Sequence, residues 1–341
     1  MTTNLLSRVA DRIYWAARYL ERAEDTARIV RTHGELMADL PATARVRWEP
    51  LVSIMGSDKA FTATKPELDL LAQQQQQSQL IAVQDVQAHE EHAVVEFLVA
   101  NRLNPASVVS CVSTARENLR TTRDTLPREA WMTLNDLWLY VGSESDRSVD
   151  RRRRGRFLGR IVADSRRLDG VLATAMTHDE AYVMWRLGRA IERADMTTRV
   201  LGVQAAAVLA LHASARESAE DVDDHDEVQW MAVLRSLSGL QAYQRAVRGP
   251  IEGSSVVRFL LDHERFPRAV RALLREMRLA LAELPDPGGP LDAVAHVEAV
   301  LRDSTAASTD GTALDAAMDE LQIAIARLDQ RITDRYQQVG A

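Results

Sequence analysis

The chain has 341 residues, of which 46% are hydrophobic and 27% are charged, and its formal net charge is −7 at pH 7. This length and composition are typical of a globular protein with a sizeable core, and the acidic balance argues against bulk binding to nucleic acid or anionic membranes. Cys111 is the single cysteine, so an intrachain disulfide is excluded and a reducing compartment, the cytoplasm, is expected.

The first segment of the chain has the spacing of an amphipathic helix. Apolar residues recur at steps of three and four over 6–30, and the same spacing returns over 157–175 and 182–211. Thr177 and Glu180 have the spacing of a capping box at the start of the helix predicted over 182–211. No stretch alternates as a strand does, and none is apolar over the ~20 residues that a membrane helix needs. The sequence therefore predicts an all-α protein.

Two parts of the chain repeat one pattern. "RYLERAEDTAR" and "RAIERADMTTR" share their charged residues at the same spacing, and two later blocks also correspond. The matching segments keep their order along the chain: 18–28 with 189–199, 48–61 with 230–243, and 94–109 with 256–271. This order predicts a tandem duplication. We therefore expect a helical bundle of two pseudo-symmetric repeats packed as one unit.

The junction between the repeats is predicted at 141–156, which is polar, contains Gly and Ser, and lacks helical periodicity. The repeats would then span 1–142 and 157–341. The acidic segment 217–227 is predicted to be a solvent loop, and the glutamine run 73–77 to be a surface helix or a loose connection.

The duplicated helix carries charged residues at the edge of its apolar stripe. At about 100° per residue, Glu24 lies at this edge with Glu21 and Arg28 beside it, and the second copy repeats the arrangement with Asp195 in place of a glutamate. Buried charges are costly unless they are paired and hydrogen-bonded. The candidate site consists of Arg18, Glu21, Arg22, Glu24, Arg28, Arg189, Glu192, Arg193, Asp195 and Arg199.

Three interpretations of this cluster are open. The favoured one is structural: acids of one copy pair with arginines of the other across a pseudo-twofold axis and fix the register of the two helices. The second is a cleft in which the arginines hold a carboxylate or a phosphate. The third, a carboxylate metal site, is least favoured because no helical Glu-x-x-His motif accompanies the acids. Neither a metal nor a cofactor is expected.

Two further motifs have simpler explanations. His89 and His92 are three residues apart, not the four of the zinc-protease motif, and lack a third ligand, so a solvated helix face is favoured. The arginine run 151–156 has no interleaved aromatic residues. It favours a solvated linker or intramolecular salt bridges over a docking patch for an acidic partner, with nucleic acid last. No glycine-rich phosphate loop, activated thiol or nucleophile elbow is present, so the chain has little visible catalytic equipment.

Four blocks carry a likeness to a known family. "LSRVADRIYWAARYLERAEDTARIV", "STARENLRTTRDTLPREAWMTLNDLW", "YVMWRLGRAIERADMTTRVL" and "VVRFLLDHERFPRAV" resemble the bacterial alpha-E family, in order and over nearly the whole chain. Its members are helical, are named for glutamates in helices, and lack an established reaction. The matching positions here are Glu21, Glu24 and Glu192, with Asp195 at the fourth place.

The resemblance implies a role beside other proteins. Members of the alpha-E family occur beside, or fused to, circularly permuted ATP-grasp proteins, often with a transglutaminase-like peptidase. We therefore expect a non-catalytic helical partner or scaffold subunit of an ATP-grasp-type amide (peptide) ligase pathway, and no nucleic-acid or membrane partner. The alternative is an enzyme or small-ligand receptor that uses the duplicated Glu/Arg cluster to bind a carboxylate, phosphate or metal.

Overall fold

The computed structural model describes residues 7–39, 46–64, 83–218, 223–307 and 311–337, and within these ranges its regular structure is entirely helical. The prediction of an all-α protein is confirmed. The helices are α1 (Ser7–Asp39), α2 (Pro50–Ile54), α3 (58–64), α4 (Val83–Val95), α5 (Val108–Arg120), α6 (Arg128–Glu144), α7 (Arg151–Ala175), α8 (Glu180–Ser218), α9 (Asp223–Ser236), α10 (Leu240–Ala246), α11 (Gly253–Asp262), α12 (Val270–Ala282), α13 (Gly288–Ala307) and α14 (Gly311–Tyr336). Shorter helical turns are a π turn at Glu96–Ala100 and 3₁₀ turns at Arg123–Thr125 and Asp146–Val149.

The two longest of these helices, α1 and α8, run side by side in the same direction. In their N-terminal parts, Gly188 of α8 lies against Tyr14 of α1. Farther along, Arg268 pairs with Asp25 of α1, while its carbonyl oxygen accepts a hydrogen bond from Thr197 of α8. Because the contacts advance along both helices together, the pair is parallel.

Each central helix is flanked by its own group of helices. Helix α1 packs against α5, α7 and α9, and α8 packs against α12 and α14. Helices α5, α6 and α7 pack in succession, and so do α12, α13 and α14. Their buried apolar residues form one continuous core. Helix α1 is buried on most of its circumference, and this burial includes several of its charged residues.

Gly188 sets how closely the central helices approach. A Cβ added there would lie 2.4 Å from the carbonyl oxygen of Tyr14 and 3.0 Å from the Cβ of Ala17. These distances are below van der Waals contact, so the backbones can meet at this point only because glycine has no side chain. The close approach brings the polar residues that follow on α1 and α8 within reach of one another.

The structure corrects two predicted loops. Segment 141–156 is helical on both sides of a 3₁₀ turn, and α7 begins at Arg151, with the Asp150 side chain capping it by accepting a hydrogen bond from the Arg152 amide. The prediction failed because five arginines hide helical periodicity when only apolar residues are counted. The acidic segment 217–227 is likewise helical where it is described, up to 218 and from 223. The glutamine run 73–77 lies outside the described residues.

The start of α8 differs from the predicted capping box. The cap is Asp179, whose carboxylate accepts hydrogen bonds from the amides of Ala181 and Tyr182 at 3.0 and 3.4 Å. An aspartate two residues nearer the helix than Thr177 satisfies the same free amides. Within the described ranges, no helix is both long and apolar enough to cross a membrane.

Candidate functional site

The parallel pairing of α1 and α8 places two Glu-Arg dipeptides at the centre of the molecule. They are Glu21–Arg22 on α1 and Glu192–Arg193 on α8. Both glutamates are buried, with 1% and 0% of their surface exposed. The packing that buries them also supplies their partners, because each glutamate faces arginines of the opposite helix.

The contacts of the two glutamates are reciprocal. Glu192 accepts hydrogen bonds from Nε of Arg18 at 2.9 Å and from Nε of Arg22 at 2.5 Å. Glu21 accepts hydrogen bonds from Nε of Arg189 at 2.7 Å and from Nε of Arg193 at 2.9 Å. In each case the donors are the residues three before and one after the glutamate's counterpart on the facing helix. We call these six residues the reciprocal cluster.

A second layer repeats this reciprocity with residues of α7 and α14. Asp329 of α14 accepts hydrogen bonds from Nη1 of Arg18 at 2.6 Å and from the hydroxyl of Tyr14. Asp169 of α7 pairs with Arg189 and accepts a hydrogen bond from the Trp185 indole nitrogen at 3.2 Å. Arg18 and Arg189 are thus each held between a glutamate of the opposite central helix and an aspartate of a flanking helix.

Two further acids of α1, Glu24 and Asp25, form a ring with two arginines. Oε1 of Glu24 and Oδ1 of Asp25 each accept hydrogen bonds from both Arg28 and Arg268. Arg268 also lies 2.8 Å from Glu21, which joins this acid–arginine ring to the reciprocal cluster. All four members are buried. Oε2 of Glu24 and Oδ2 of Asp25 are buried without a hydrogen-bond partner in the described structure.

The corresponding part of α8 is simpler. Asp195 pairs with Arg199 at 2.8 Å, one turn apart, and both side chains are partly exposed. Met196 stands in the position of the second acid, so no ring forms there. The ten predicted site residues therefore divide into the reciprocal cluster, the buried pair Glu24 and Arg28, and this outlying pair.

Charge and burial set the protonation states of these acids. Burial alone would raise the pKa of Glu21, but Arg189, Arg193 and Arg268 outweigh it and hold the pKa well below its usual range. The pKa of Glu192 is lowered for the same reason, by Arg22 and Arg18 against burial. Both glutamates are therefore ionised and paired at neutral pH.

Asp25 is the exception. Burial raises its pKa from 3.8 to about 6, despite the opposing effects of Arg268 and Arg28. One of its oxygens accepts from two arginines while the other has no partner, so the desolvation cost of the charge is only partly recovered. The same burial, together with the charge of Arg268, lowers the pKa of Arg28.

This arrangement is poorly suited to acid–base or metal chemistry. The oxygens of Glu21 and Glu192 already accept hydrogen bonds from guanidinium groups, and a metal or substrate would have to displace those contacts. Among the described residues, no group of three or more His, Cys, Asp or Glu side chains is placed to hold a metal ion. His89 and His92 are exposed on α4, while Glu91 between them is buried against Arg154.

Sequence reasoning missed several residues of the site. They are Tyr14, Asp25, Asp169, Trp185, Arg268 and Asp329. Asp25 lies inside the quoted repeat block and could have been included. Arg268 aligns with Ala106 in the predicted repeat, so a duplication would give no signal for it. Asp169 and Asp329 come from flanking helices, and only the packing of α7 and α14 shows what they contact.

These contacts define a class: an all-helical protein whose two central parallel helices are joined by buried, reciprocal Glu–Arg pairs. The chain belongs to the Alpha-E family, described as a predicted alpha-helical domain with a conserved ER motif, and the family model matches residues 5–336. The dipeptides Glu21–Arg22 and Glu192–Arg193 are Glu-Arg sequences of this chain, and they occupy the centre of the reciprocal cluster.

The chain is similar to longer mycobacterial proteins. Uncharacterized proteins of Mycobacterium bovis and Mycobacterium tuberculosis are 24% identical to it over 342 residues. The aligned region covers 96% of this chain but 36% of each relative. The chain thus spans about a third of the length of the curated relatives it matches. No solved structure matches it significantly.

Proposed function

We propose that the protein is a non-catalytic partner or scaffold subunit of an ATP-grasp-type amide (peptide) ligase pathway in the cytoplasm. Its partner in this proposal is a circularly permuted ATP-grasp protein, with a transglutaminase-like peptidase as a second candidate. One observation supports a non-catalytic role: each of Glu21 and Glu192 already accepts hydrogen bonds from two arginines of the facing helix. Carboxylates held in this way act as a latch between α1 and α8.

The proposed scaffold consists of two halves derived by tandem duplication. The exchange of Glu–Arg contacts between α1 and α8 supports this, as does the corresponding use of Asp169 and Asp329. Helix α7 packs on α1, and α14 packs on α8. Because these two pairs correspond, we infer that the halves meet between α7 and α8, near 176–179, rather than at the predicted junction 141–156. The latch then joins one half to the other.

The partner role rests on the family and on the length of its members. The alpha-E resemblance implies occurrence beside or fused to ATP-grasp proteins, and the mycobacterial relatives extend well beyond the region that this chain matches. A module that recurs within longer chains is expected of a component that works through contact with other domains. The relatives themselves are uncharacterized, so this support concerns architecture and not a reaction.

The test is reconstitution with an ATP-grasp partner from the same organism. We expect the two proteins to co-purify and ATP turnover by the partner to change when this chain is added. Glu192→Gln, which breaks the latch, should reduce both effects, whereas Asp195→Asn, which removes the outlying pair, should leave them unchanged. Absence of a complex together with unchanged ATP turnover would refute the partner role.

The receptor alternative makes a different prediction. A carboxylate, phosphate or divalent metal that binds the Glu/Arg cluster should raise the melting temperature of the isolated protein. The latch proposal expects no such rise, because the buried acids and arginines already neutralise one another. A ligand-dependent rise that Glu24→Gln abolishes would favour the receptor.

A further inference from the structure

The outward face of α7 carries a row of arginines. Five of them are exposed: Arg152, Arg153, Arg156, Arg160 and Arg167. At about 100° per residue they fall within an arc of roughly 100° of the helix circumference, and at 1.5 Å per residue the row is about 22 Å long. Over 152–170, the other residues within this arc are Ala163 and Gly170, and Gly159 lies about 20° outside it; all three are small. We call this face the basic strip.

Most of the charge on the basic strip is not neutralised. Arg160 pairs with Asp164 at 3.0 Å at the margin of the strip. The other arginines of the strip make no ion pair with the described residues. This differs from Arg154 on the inner side of the same helix, which is buried against Glu91. The arginine run 151–156 therefore lies on two sides of α7. Arg154 is buried and paired on the inner side, whereas the arginines of the basic strip are exposed on the outer side.

The position of the strip is unfavourable for the isolated helix. The first turn of α7 holds several arginines and no acid, although cations at a helix N-terminus oppose the helix dipole. Arg152 and Arg156 are like charges one turn apart, which is also destabilising. Bound carboxylates would relieve both costs, since anions are favoured at this end of a helix.

The glycines of α7 give a second, independent indication. Gly170 lies within the strip and Gly155 lies about 60° outside it, and a Cβ at either would meet no atom within 4 Å. A Cβ at Gly159 would meet only the guanidinium of Arg31, at 3.8 Å. Glycine inside a helix costs about 1 kcal/mol relative to alanine, and packing within the described structure does not require it here. These glycines leave a flat surface that another chain can approach closely.

We propose that the basic strip is a docking surface for an acidic polypeptide segment, with its arginines binding aspartate and glutamate carboxylates. Guanidinium groups bind carboxylates in bidentate geometry, and the length of the strip matches about seven extended residues at ~3.3 Å each. No exposed aromatic residue lies in the strip to stack on bases. An acidic peptide is therefore favoured over nucleic acid. This inference does not depend on the proposed ligase pathway.

The experiment measures binding of a dye-labelled oligoglutamate peptide to the full chain by fluorescence anisotropy at low salt. The strip variant combines Arg152→Glu, Arg156→Glu and Arg167→Glu. The matched control makes the same change in net charge at three exposed arginines outside α7: Arg245→Glu, Arg248→Glu and Arg258→Glu. An oligolysine peptide and a single-stranded oligonucleotide of equal charge serve as comparison ligands.

We expect the wild type to bind oligoglutamate, more weakly as salt rises, and the strip variant to bind at least about tenfold more weakly than the control variant. A neutral variant with Gln at the same three positions should also bind weakly, and it gives a second readout if the Glu variant fails to fold. The proposal is overturned if the wild type does not bind the peptide, or if strip and control variants bind equally. It is also overturned if the oligonucleotide binds more tightly than the peptide.

Discussion

Glu21 of α1 accepts a hydrogen bond at 2.7 Å from Nε of Arg189 of α8, 168 residues later in the chain. The reverse contact, from Arg18 of α1 to Glu192 of α8, has nearly the same length, 2.9 Å. Two such exchanges hold parallel helices at one register, because a slip by one residue would turn both glutamates away from both arginines. Both glutamates are buried, so a slip would also leave charges unpaired out of water.

Removing one charge from the latch should destabilise the protein strongly. Glu192→Gln leaves Arg18 and Arg22 buried beside a neutral amide, and we expect a loss of about 3 kcal/mol in the free energy of unfolding. Asp195→Asn is the matched control, since its pair with Arg199 is partly exposed and should be worth less than about 1 kcal/mol. Urea denaturation followed by circular dichroism measures both, and equal losses would contradict the latch.

The close approach at Gly188 should be intolerant of any side chain. Gly188→Ala puts a methyl group 2.4 Å from the Tyr14 carbonyl oxygen, so we expect a loss of about 3 kcal/mol or a separation of α1 from α8. Gly170→Ala on the open face of α7 should instead stabilise the protein by about 1 kcal/mol. Opposite shifts in melting temperature are therefore expected, and a neutral Gly188→Ala would show that the helices do not meet there.

Two buried groups should give opposite pH dependences. Burial lowers the pKa of His33 to about 4, so its contribution to stability is complete above about pH 6.5 and is lost as pH falls toward 4. Burial raises the pKa of Asp25 to about 6, so its contribution is complete below about pH 3.8 and is lost as pH rises through 6. Between pH 7 and 5 the two effects oppose each other in the wild type.

Variants separate these effects. On going from pH 7 to pH 5, His33→Gln should gain about 2 kcal/mol of stability relative to the wild type, because the cost of protonating the buried imidazole is removed. Asp25→Asn should lose about 1 kcal/mol relative to the wild type over the same interval, because the favourable uptake of a proton is removed. Urea titrations at the two pH values give both signs, and a reversal of either sign would refute the corresponding assignment.

Cys111 should be inert in the folded protein. The thiol is fully buried in α5, and this burial raises its pKa to about 12, so both access and thiolate formation are suppressed. We expect no reaction with a chromogenic disulfide reagent at pH 8 until denaturant is added. Ser143→Cys, at an exposed position on α6, supplies a reactive thiol as the positive control. Rapid labelling of the wild type without denaturant would contradict the burial of Cys111.

The sequence indicated the central helices and the identity of many of their charged residues. Apolar periodicity located α1 and α8, and the repeated Glu-Arg dipeptides pointed to pairing between acids of one copy and arginines of the other. It did not indicate that Arg268 completes a ring on α1 only, since the residue aligned with Arg268 in the predicted repeat is Ala106. It also missed the helical nature of 141–156, where the buried Arg154 pairs with Glu91, 63 positions earlier in the chain.

What the sequence determined by itself is local: helix formation, the apolar stripes and the spacing of charges along each helix follow from residues three or four apart. The parallel direction of α1 and α8, the choice of Asp169 and Asp329 as outer partners, and the division of the α7 arginines into a buried and an exposed side were decided by tertiary packing. The reason is physical. A charged residue at the edge of a stripe can be buried or solvated at similar local cost, and only the helix that packs against it decides which occurs.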